Sequence, residues 1–301
     1  MQYEEMFRRN LGVFTSQEQE RIRAARVLII GCGGVGGVVA QVLARSGVEH
    51  FTLMDPETYE PSNINRQICC FCDTFGRSKA QCTKECILRI NPAANVTALE
   101  RALEMSEAAE VVRRFDAVVC AADDWPLSML TIDVARSVGT PAVMAYPIGA
   151  FGRTTTFLPS SPSAAECMSM PLGLGYEELK AFTESPEVRR VALYYLTEGE
   201  WQEEWFEEWC EGRRPHAQLC ITVWLVSVLA ALEVIKIVSG RWPPVVAPRY
   251  WYVCPTGARI KKFSFARRLI SRLAAREWAR RRFPALSRHR RLLRLFTRLL
   301  G

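Results

Sequence analysis

The chain has 301 residues, of which 49% are hydrophobic, so it can bury a full core, and we expect one large domain with at most a small extension. The first ten residues lack an apolar core and the eleven cysteines show no even spacing, so we predict no signal peptide, no disulfide framework and a cytoplasmic protein with reduced thiols. The charge is uneven: residues 259–301 contain 15 Lys and Arg and one acid, which gives +14, and because the whole chain is +7, residues 1–258 carry −7.

Residues 1–26 are predicted to form an N-terminal arm. Thr15 and Glu18 have capping-box spacing, which predicts a helix over residues 15–25 that leads into the first strand. Arg8 and Arg9 stand before this helix. Surface arginines are usually solvated, so the pattern alone gives these two no role.

Residues 27–67 contain a strand, a glycine-rich turn, a helix and a second strand. An apolar run over residues 27–30 is typical of a buried strand. Three glycines follow it in G-x-G-x-x-G spacing: Gly31, Gly33 and Gly36. A helix is predicted over residues 38–45, and a strand over residues 51–54 ends at Asp55. Glycines let the backbone approach a phosphate, the helix N-terminus attracts it, and the acid can hold a ribose hydroxyl, so the unit predicts a nucleotide-binding fold.

Helical and strand patterns alternate further along the chain. We predict helices over residues 78–90, 106–114 and 126–138, and strands over residues 95–99, 116–121 and 140–146. This alternation predicts an α/β fold with a doubly wound, mostly parallel, Rossmann-like sheet. Cys82 and Cys86 share one face of the first of these helices, where we predict core packing and not metal ligation.

Three polar segments stand near the ends of predicted elements: Ser62-Asn63-Ile64-Asn65-Arg66-Gln67, Gly76-Arg77-Ser78-Lys79 and Ala122-Asp123-Asp124-Trp125-Pro126. With these segments the sequence resembles the ThiF/MoeB/HesA family, the bacterial relatives of ubiquitin-activating enzymes. The resemblance covers residues 8–158 closely and residues 215–256 more loosely, with five signatures in the family's order. In that family the matching residues bind ATP and Mg²⁺ and adenylate a carboxylate.

The resemblance implies an ATP site. Four glycines would line the nucleotide: Gly31, Gly33, Gly34 and Gly36. Asp55 would hold the ribose, Asn63 and Arg66 would bind phosphate oxygens, and Gln67 would lie in the same site. Lys79 would add a second positive charge beside a helix N-terminus.

The resemblance also implies a metal and a partner subunit. Asp123 is expected to coordinate Mg²⁺, which takes one or two carboxylates plus phosphate oxygens; capping the next helix is its structural alternative. Asp124 stands where the family often has Asn, and it either shares the metal or caps that helix. Family members form homodimers in which an arginine reaches the partner's ATP site. Arg9 matches that arginine best, and Arg8 second.

Residues 159–216 correspond to the family's crossover region, where the substrate tail is threaded and any transfer cysteine resides. Cys210, and second to it Cys167, are candidates for a thioester-forming cysteine, which needs an exposed, electropositive place; a structural role is the alternative for each. Many family members bind zinc through two Cys-x-x-Cys pairs. Here Cys167 and Cys254 each lack the second cysteine of such a pair, so we predict no structural zinc.

Residues 217–258 are predicted to complete the adenylation domain formed by residues 27–158. The uncharged apolar run over residues 217–232 predicts a buried helix at a subunit interface, because a membrane span needs about twenty residues. The resemblance implies an antiparallel strand over residues 150–158, and we predict the last strand over residues 249–254.

The segment 259–301 is predicted to form two basic amphipathic helices that break at Pro284. Four binding modes stay open for it: a membrane surface, a partner protein, RNA or another phosphate, and the acidic surface of the body itself. No aromatic-interleaved nucleic-acid module is present to favour RNA.

The sequence therefore predicts an ATP- and Mg²⁺-dependent adenylyltransferase acting on the C-terminal carboxylate of a small ubiquitin-like protein or a peptide. One alternative is a tRNA-modifying dehydratase of the threonylcarbamoyladenosine type, whose tRNA would bind the basic tail. Another is a non-catalytic scaffold, which the joint presence of Arg66, Lys79 and Asp123 argues against. An NAD-dependent oxidoreductase would leave the segment around Arg66 without a role.

Overall fold

The computed structural model describes residues 2–168, 170–186, 188, 189 and 202–263. The chain divides into two compact units, one of residues 1–161 with 218–261 and one of residues 162–217 with 262–301. The amphipathic helices predicted within residues 259–301 lie outside the described residues from residue 264 onward.

One eight-stranded sheet organises the first unit. Its strands are β1 Arg26–Ile30, β2 His50–Met54, β3 Asn95–Leu99, β4 Ala117–Cys120, β5 Ala142–Ile148, β6 Phe151–Phe157, β7 Arg249–Cys254 and β8 Gly257–Lys262. The helices before residue 162 are α1 Tyr3–Phe7, α2 Ser16–Ala24, α3 Gly34–Arg45, α4 Lys79–Ile90, α5 Ala108–Val112 and α6 Trp125–Val138, with 3-10 turns at Arg8–Asn10 and Pro61–Asn63. The second unit contains α7 Ala164–Met168, α8 Tyr176–Glu184 and α9 Glu203–Cys210, and α10 Cys220–Ser239 returns to the first unit.

The strand order is β3-β2-β1-β4-β5-β6-β7-β8. Strands β3, β2, β1, β4 and β5 pair in parallel, whereas β6 is antiparallel to both β5 and β7. The predicted doubly wound, mostly parallel sheet is confirmed. The chain order reverses between β1 and β4, and in such sheets the ligand crevice lies at the carboxyl ends of the two strands that flank the reversal.

The core of this unit packs α3 and α10 against the sheet. Val39 and Leu43 of α3 share one buried cluster with Val226 and Ala230 of α10 and with Ile29 of β1. Fully burying one such aliphatic side chain contributes about 1.5–3 kcal/mol. This shared cluster holds α3 against the sheet, and the glycine-rich turn leads into the start of that helix.

The bounds of the helices and strands show which elements local sequence signals predict correctly. The capping box of Thr15 and Glu18 is present, and it begins α2 as predicted. The helix predicted over residues 38–45 begins earlier, at Gly34, and the helix predicted over residues 106–114 is only Ala108–Val112. The strand over residues 249–254 is not the last one, because β8 follows it. Cys82 is buried against Cys69 and Tyr59, which confirms packing as its role.

The length of the apolar helix α10 contradicts the prediction that this segment is too short to span a membrane. It runs for 20 residues, so its length does not exclude a membrane span. Within the described part of the chain it is the one helix that is long and apolar enough to cross a membrane. Its contacts with the sheet and α3 support a core helix instead. Its fully buried Glu233 accepts hydrogen bonds from Val245 N at 2.6 Å and Trp251 Nε1 at 2.8 Å, and pairs with Lys236 at 2.6 Å.

Candidate active site

The turn after β1 brings the start of α3 against the carboxyl end of β4. Gly31 has a φ of +90°, and a Cβ there would lie 2.6 Å from the backbone carbon of Ala121. A Cβ at Gly36 would lie 1.8 Å from the Gly31 carbonyl oxygen, so neither position accepts a side chain. The N-cap, Gly33, offers no side chain to the first N–H groups of α3. Those groups are the ones that bind phosphate at a helix N-terminus.

Asp55 directly follows β2 beside this turn and is almost fully buried. Its two carboxylate oxygens accept hydrogen bonds from the backbone N–H groups of Cys32, at 2.6 Å, and Glu57, at 2.8 Å. Burial raises the pKa of the Asp55 carboxyl, while these two donors and the Lys79 charge lower it. The carboxylate is therefore fixed directly behind the glycine turn, in the position that suits a ribose contact.

Asn63 and Gln67 are both buried in the segment that follows β2. Asn63 Oδ1 accepts a hydrogen bond from Glu60 N at 3.2 Å. Gln67 Oε1 has no hydrogen-bond partner among the described residues, and a Cβ at Gly33 would lie 3.6 Å from it. A buried acceptor without a partner, next to a position that lacks a side chain, fits a site completed by a polar ligand such as ATP.

The guanidinium of Arg66 is oriented by three acceptors. Its Nε donates to Gln218 Oε1 at 2.5 Å, and its Nη1 donates to Ser62 O at 3.0 Å and Asn65 Oδ1 at 2.9 Å. The two N–H groups of Nη2 have no acceptor in the described parts of the chain. Arg66 thus holds one donor edge ready for an anion.

Lys79 is the first residue of α4, and Ser78 caps that helix through Gln81 N. The lysine side chain is only 6% exposed, and its Nζ pairs with Glu57 Oε2 at 2.5 Å. Its charge lowers the pKa of both Asp55 and Asp123. The buried ammonium therefore acts electrostatically on both acids.

Asp123 and Asp124 have different roles after β4. Asp124 Oδ1 accepts from Leu127 N at 2.9 Å and caps α6, so capping as the alternative role of Asp123 is wrong. The carboxylate of Asp123 has no hydrogen bond to a described residue. The surrounding protein raises the pKa of Asp123 by removing hydration, and Arg66 and Lys79 lower it. An available carboxylate that faces two cations suits Mg²⁺ shared with phosphate oxygens.

Arg9 forms no hydrogen bond or ion pair with these residues in the described part of its own chain. It is exposed in the 3-10 turn at Arg8–Asn10 and forms no ion pair with the described residues, whereas Arg8 pairs with Glu5 at 3.4 Å. No described contact brings Arg9 into the site, and its role in a partner's site stays a prediction.

The cysteine candidates do not have the expected environment. Cys210 is fully buried at the end of α9, and Cys167 is 3% exposed in α7, so neither offers the accessible thiol that a thioester requires. Within the described residues no group of three or more His, Cys, Asp or Glu side chains is arranged to hold a metal.

Three site residues were missed by the sequence analysis. Gln218 and Trp224 contact Arg66 although they lie 152 and 158 positions away. Glu57, which pairs with Lys79, was also missed. No motif identifies Gln218 or Trp224, because only the folded sheet brings the start of α10 to the segment after β2.

Comparison with known proteins identifies the family. The sequence pattern of the ThiF family matches residues 7–269. The chain belongs to the ThiF family. This membership agrees with the glycine turn, the charged residues around it and the strand order described above.

The ThiF-family chain is 34% identical to the SAMP-activating enzyme E1 of Haloferax volcanii over 144 residues, which are 48% of this chain and 53% of that enzyme. It is 29% identical to the sulfur carrier protein ThiS adenylyltransferase of Bacillus subtilis over 184 residues, 60% of this chain and 54% of that protein. It is 36% identical to the adenylyltransferase and sulfurtransferase MOCS3 of Mus musculus over 139 residues, 46% and 30% of the two chains. The matched region thus spans about half, or less, of these relatives.

Solved structures share the ThiF-family fold. The crystal structure of PaaA gives a TM-score of 0.64 with 18% identity, and covers 86% of this chain and 73% of PaaA. The crystal structure of E. coli MccB with ATP gives a TM-score of 0.63 with 18% identity, and covers 82% and 67% of the two chains. At this identity the likeness shows the fold alone.

Proposed function

We propose that this ThiF-family chain catalyses the ATP- and Mg²⁺-dependent adenylation of the C-terminal carboxylate of a small ubiquitin-like protein or a peptide. The observation that carries the proposal is the convergence of Arg66, Lys79 and Asp123 beside the glycine turn. Nucleotide binding alone does not require two cations and an acid at one place. Adenylation does, because negative charge moves onto the pyrophosphate that leaves.

The site residues have clear tasks in this reaction. The acceptor carboxylate attacks the α-phosphorus of ATP, a new oxygen–phosphorus bond forms, and the bond to pyrophosphate breaks with its electron pair. Positioning and charge stabilisation carry such a step with little covalent help from protein. Asp55 would hold the ribose, and the Nη2 edge of Arg66 and the ammonium of Lys79 would bind phosphate oxygens. Asp123 would hold Mg²⁺, which neutralises phosphate charge when bound.

The names of relatives support a protein or peptide acceptor. The Haloferax volcanii protein is named as activating SAMP, and the Bacillus subtilis protein as adenylating the sulfur carrier ThiS. E. coli MccB has been solved with ATP and with MccA. We extend this acceptor class to the present chain.

The proposal includes a homodimer. Helix α10 exposes four large apolar side chains at i, i+3, i+4 and i+7 spacing, each between 40% and 67% exposed: Ile221, Trp224, Leu225 and Val228. Such a stripe on a soluble domain marks an interaction surface. A second copy that packs on this stripe would bury it, and Arg9 of each protomer would complete the ATP site of the other.

Exchange of labelled pyrophosphate into ATP tests the proposed reaction. The acceptors are Gly-Gly-ended proteins, short peptides and tRNA, each with and without Mg²⁺. We expect exchange with one protein or peptide only, and we expect Arg66→Ala to reduce it by about 10²–10³-fold, as the loss of one charge-stabilising donor does in other enzymes. Exchange supported by tRNA alone would favour the tRNA-modifying alternative. ATP binding without exchange for any acceptor would favour the scaffold.

A matched arginine provides the control. Arg26 of β1 is exposed and pairs with Asp116 at 3.5 Å, away from the carboxyl ends of the strands. Arg26→Ala removes the same charge and should leave the exchange rate unchanged. Equal losses in the two variants would show that only net charge matters, and would contradict the assigned role of Arg66.

A further inference from the structure

We propose that Gln218 is a positioning residue for ATP: it fixes the guanidinium of Arg66 so that its Nη2 edge faces the phosphates. The inference rests on the proposed function, because it adds a residue to the same site. Gln218 stands two residues before α10, and its side chain accepts a hydrogen bond from Arg66.

Gln218 holds the Arg66 segment at two points. Its side-chain Oε1 accepts from Arg66 Nε at 2.5 Å, and its backbone oxygen accepts from Asn65 Nδ2 at 3.2 Å. The backbone of Gln218 also forms a parallel bridge with Gly149, directly after β5. The backbone that carries this amide is therefore anchored at the sheet.

Helix α10 holds the backbone of the same arginine. Trp224 Nε1 donates to the Arg66 carbonyl oxygen at 2.9 Å. A Cβ at Gly34 would lie 2.9 Å from Val223 Cγ1 and 3.5 Å from Arg66 Cγ, so the glycine lets α10, α3 and Arg66 meet. Trp224 thus fixes the main chain of Arg66, and Gln218 fixes its side chain.

The choice of an amide at position 218 has a physical reason. A guanidinium has five N–H donors; three are engaged within the protein, and the two on Nη2 are available. A neutral amide oxygen orients the group without cancelling its charge. A carboxylate at the same place would pair with the guanidinium and compete with the phosphates. Gln218 therefore sets the direction of Arg66 and leaves its full charge for ATP.

A double-mutant cycle on Mg·ATP binding tests this role. Titration calorimetry compares the wild type, Gln218→Met, Arg66→Ala and the double variant. Methionine keeps the length of the side chain and removes the acceptor, so we expect about tenfold weaker binding, the usual effect of losing a hydrogen bond to a charged group. In the Arg66→Ala background the same change should add nothing, because Gln218 acts through Arg66. Gln218→Glu should also weaken binding.

Controls separate this role from general damage. Gln17→Met, on the exposed face of α2, should bind ATP as the wild type does, and thermal unfolding should show every variant folded. Unchanged affinity in Gln218→Met, or a loss that adds fully to that of Arg66→Ala, would overturn the inference. Failure of the wild type to bind ATP would overturn both the proposed function and the inference. Coupling in the cycle without pyrophosphate exchange would support Gln218 and reject adenylation, so the two failures are distinguishable.

Discussion

Cys69, three residues after Arg66, packs against Cys86 of α4. The hydrogen bond from the Cys69 thiol lowers the pKa of Cys86 to about 7; burial opposes this shift and the charge of Arg89 adds to it. The same hydrogen bond, together with burial, raises the pKa of Cys69, to whose sulfur Gln41 Nε2 donates at 3.3 Å. Cys86 is therefore the more acidic thiol of this pair, and its partner Cys69 follows Arg66 closely in the chain.

This pair predicts a pH-dependent reaction of Cys86. The thiolate is the reactive form, so the rate of alkylation by iodoacetamide should rise with pH, reach half its plateau near pH 7 and then level off. Cys69→Ala removes the donor and should move the midpoint upward, toward the value of about 8.5 for an ordinary cysteine. Peptide mass mapping follows Cys86, with the exposed Cys72 as an accessible reference. An unmoved midpoint in Cys69→Ala would contradict the assignment of the hydrogen bond.

At the scale of elements, β6 and α10 meet at a position that has no room for a side chain. A Cβ on Gly152 would lie 2.4 Å from Val226 Cγ1 and 3.4 Å from Thr222 Cγ2. The helix is also tied to the strand through Thr154 Oγ1, which donates to Val226 O at 2.9 Å. Because α10 carries Trp224 toward Arg66, this contact supports the site as well as the core.

Gly152→Ala should therefore destabilise the fold by about 1–3 kcal/mol, the usual cost of overpacking a core. Val226→Ala alone should also destabilise it, because it leaves a cavity. In the double variant the added Cβ at position 152 occupies space that Val226 Cγ1 leaves, so the double variant should be more stable than the sum of the single losses predicts, by about 0.5 kcal/mol or more. Urea unfolding measures all four proteins. Strict additivity would show that the two positions do not share this contact.

Elements with strong local signals could be predicted from the sequence, and elements set by tertiary contacts could not. The apolar runs of β1 and β2 and the capping box of α2 are local, and they lie where expected. The first turn of α3 was missed because glycine disfavours helices; it exists because Gly36 packs on Gly31. Helix α10 continues beyond the uncharged run over residues 217–232, because the charged Glu233 and Lys236 pair with each other within it.

The site residues divide in the same way, into those with a local sequence signal and those placed by tertiary contacts. Asp55 and Asp123 follow strands, so their neighbourhood at one edge of a parallel sheet could be predicted from their order in the chain. The capping role of Asp124 could not be told from that of Asp123 until the helix start was known. Gln218 could not be found at all, because its only signal is a contact across 152 positions.

At the scale of the whole molecule, the proposed dimer makes the activity a property of two chains. Arg9 is exposed and has no described partner in its own chain, and α10 carries an exposed apolar stripe. If Arg9 of one protomer serves the ATP site of the other, Arg9→Ala and Arg66→Ala damage different halves of the same site. Each variant alone forms dimers with two defective sites.

Mixing the two variants should then restore activity. In a mixed dimer, the Arg66→Ala chain donates an intact Arg9 to the other chain, whose own Arg66 is intact, so one of the two sites is complete. Random reassortment makes half of the dimers mixed, and pyrophosphate exchange should recover to roughly one quarter of the wild-type rate. Placing Leu225→Glu in both parents puts a charge in the apolar stripe, so sedimentation should show monomers and the recovery should vanish. A mixture no more active than its parents would show that Arg9 does not act across the dimer, and the predicted arrangement would have to be abandoned.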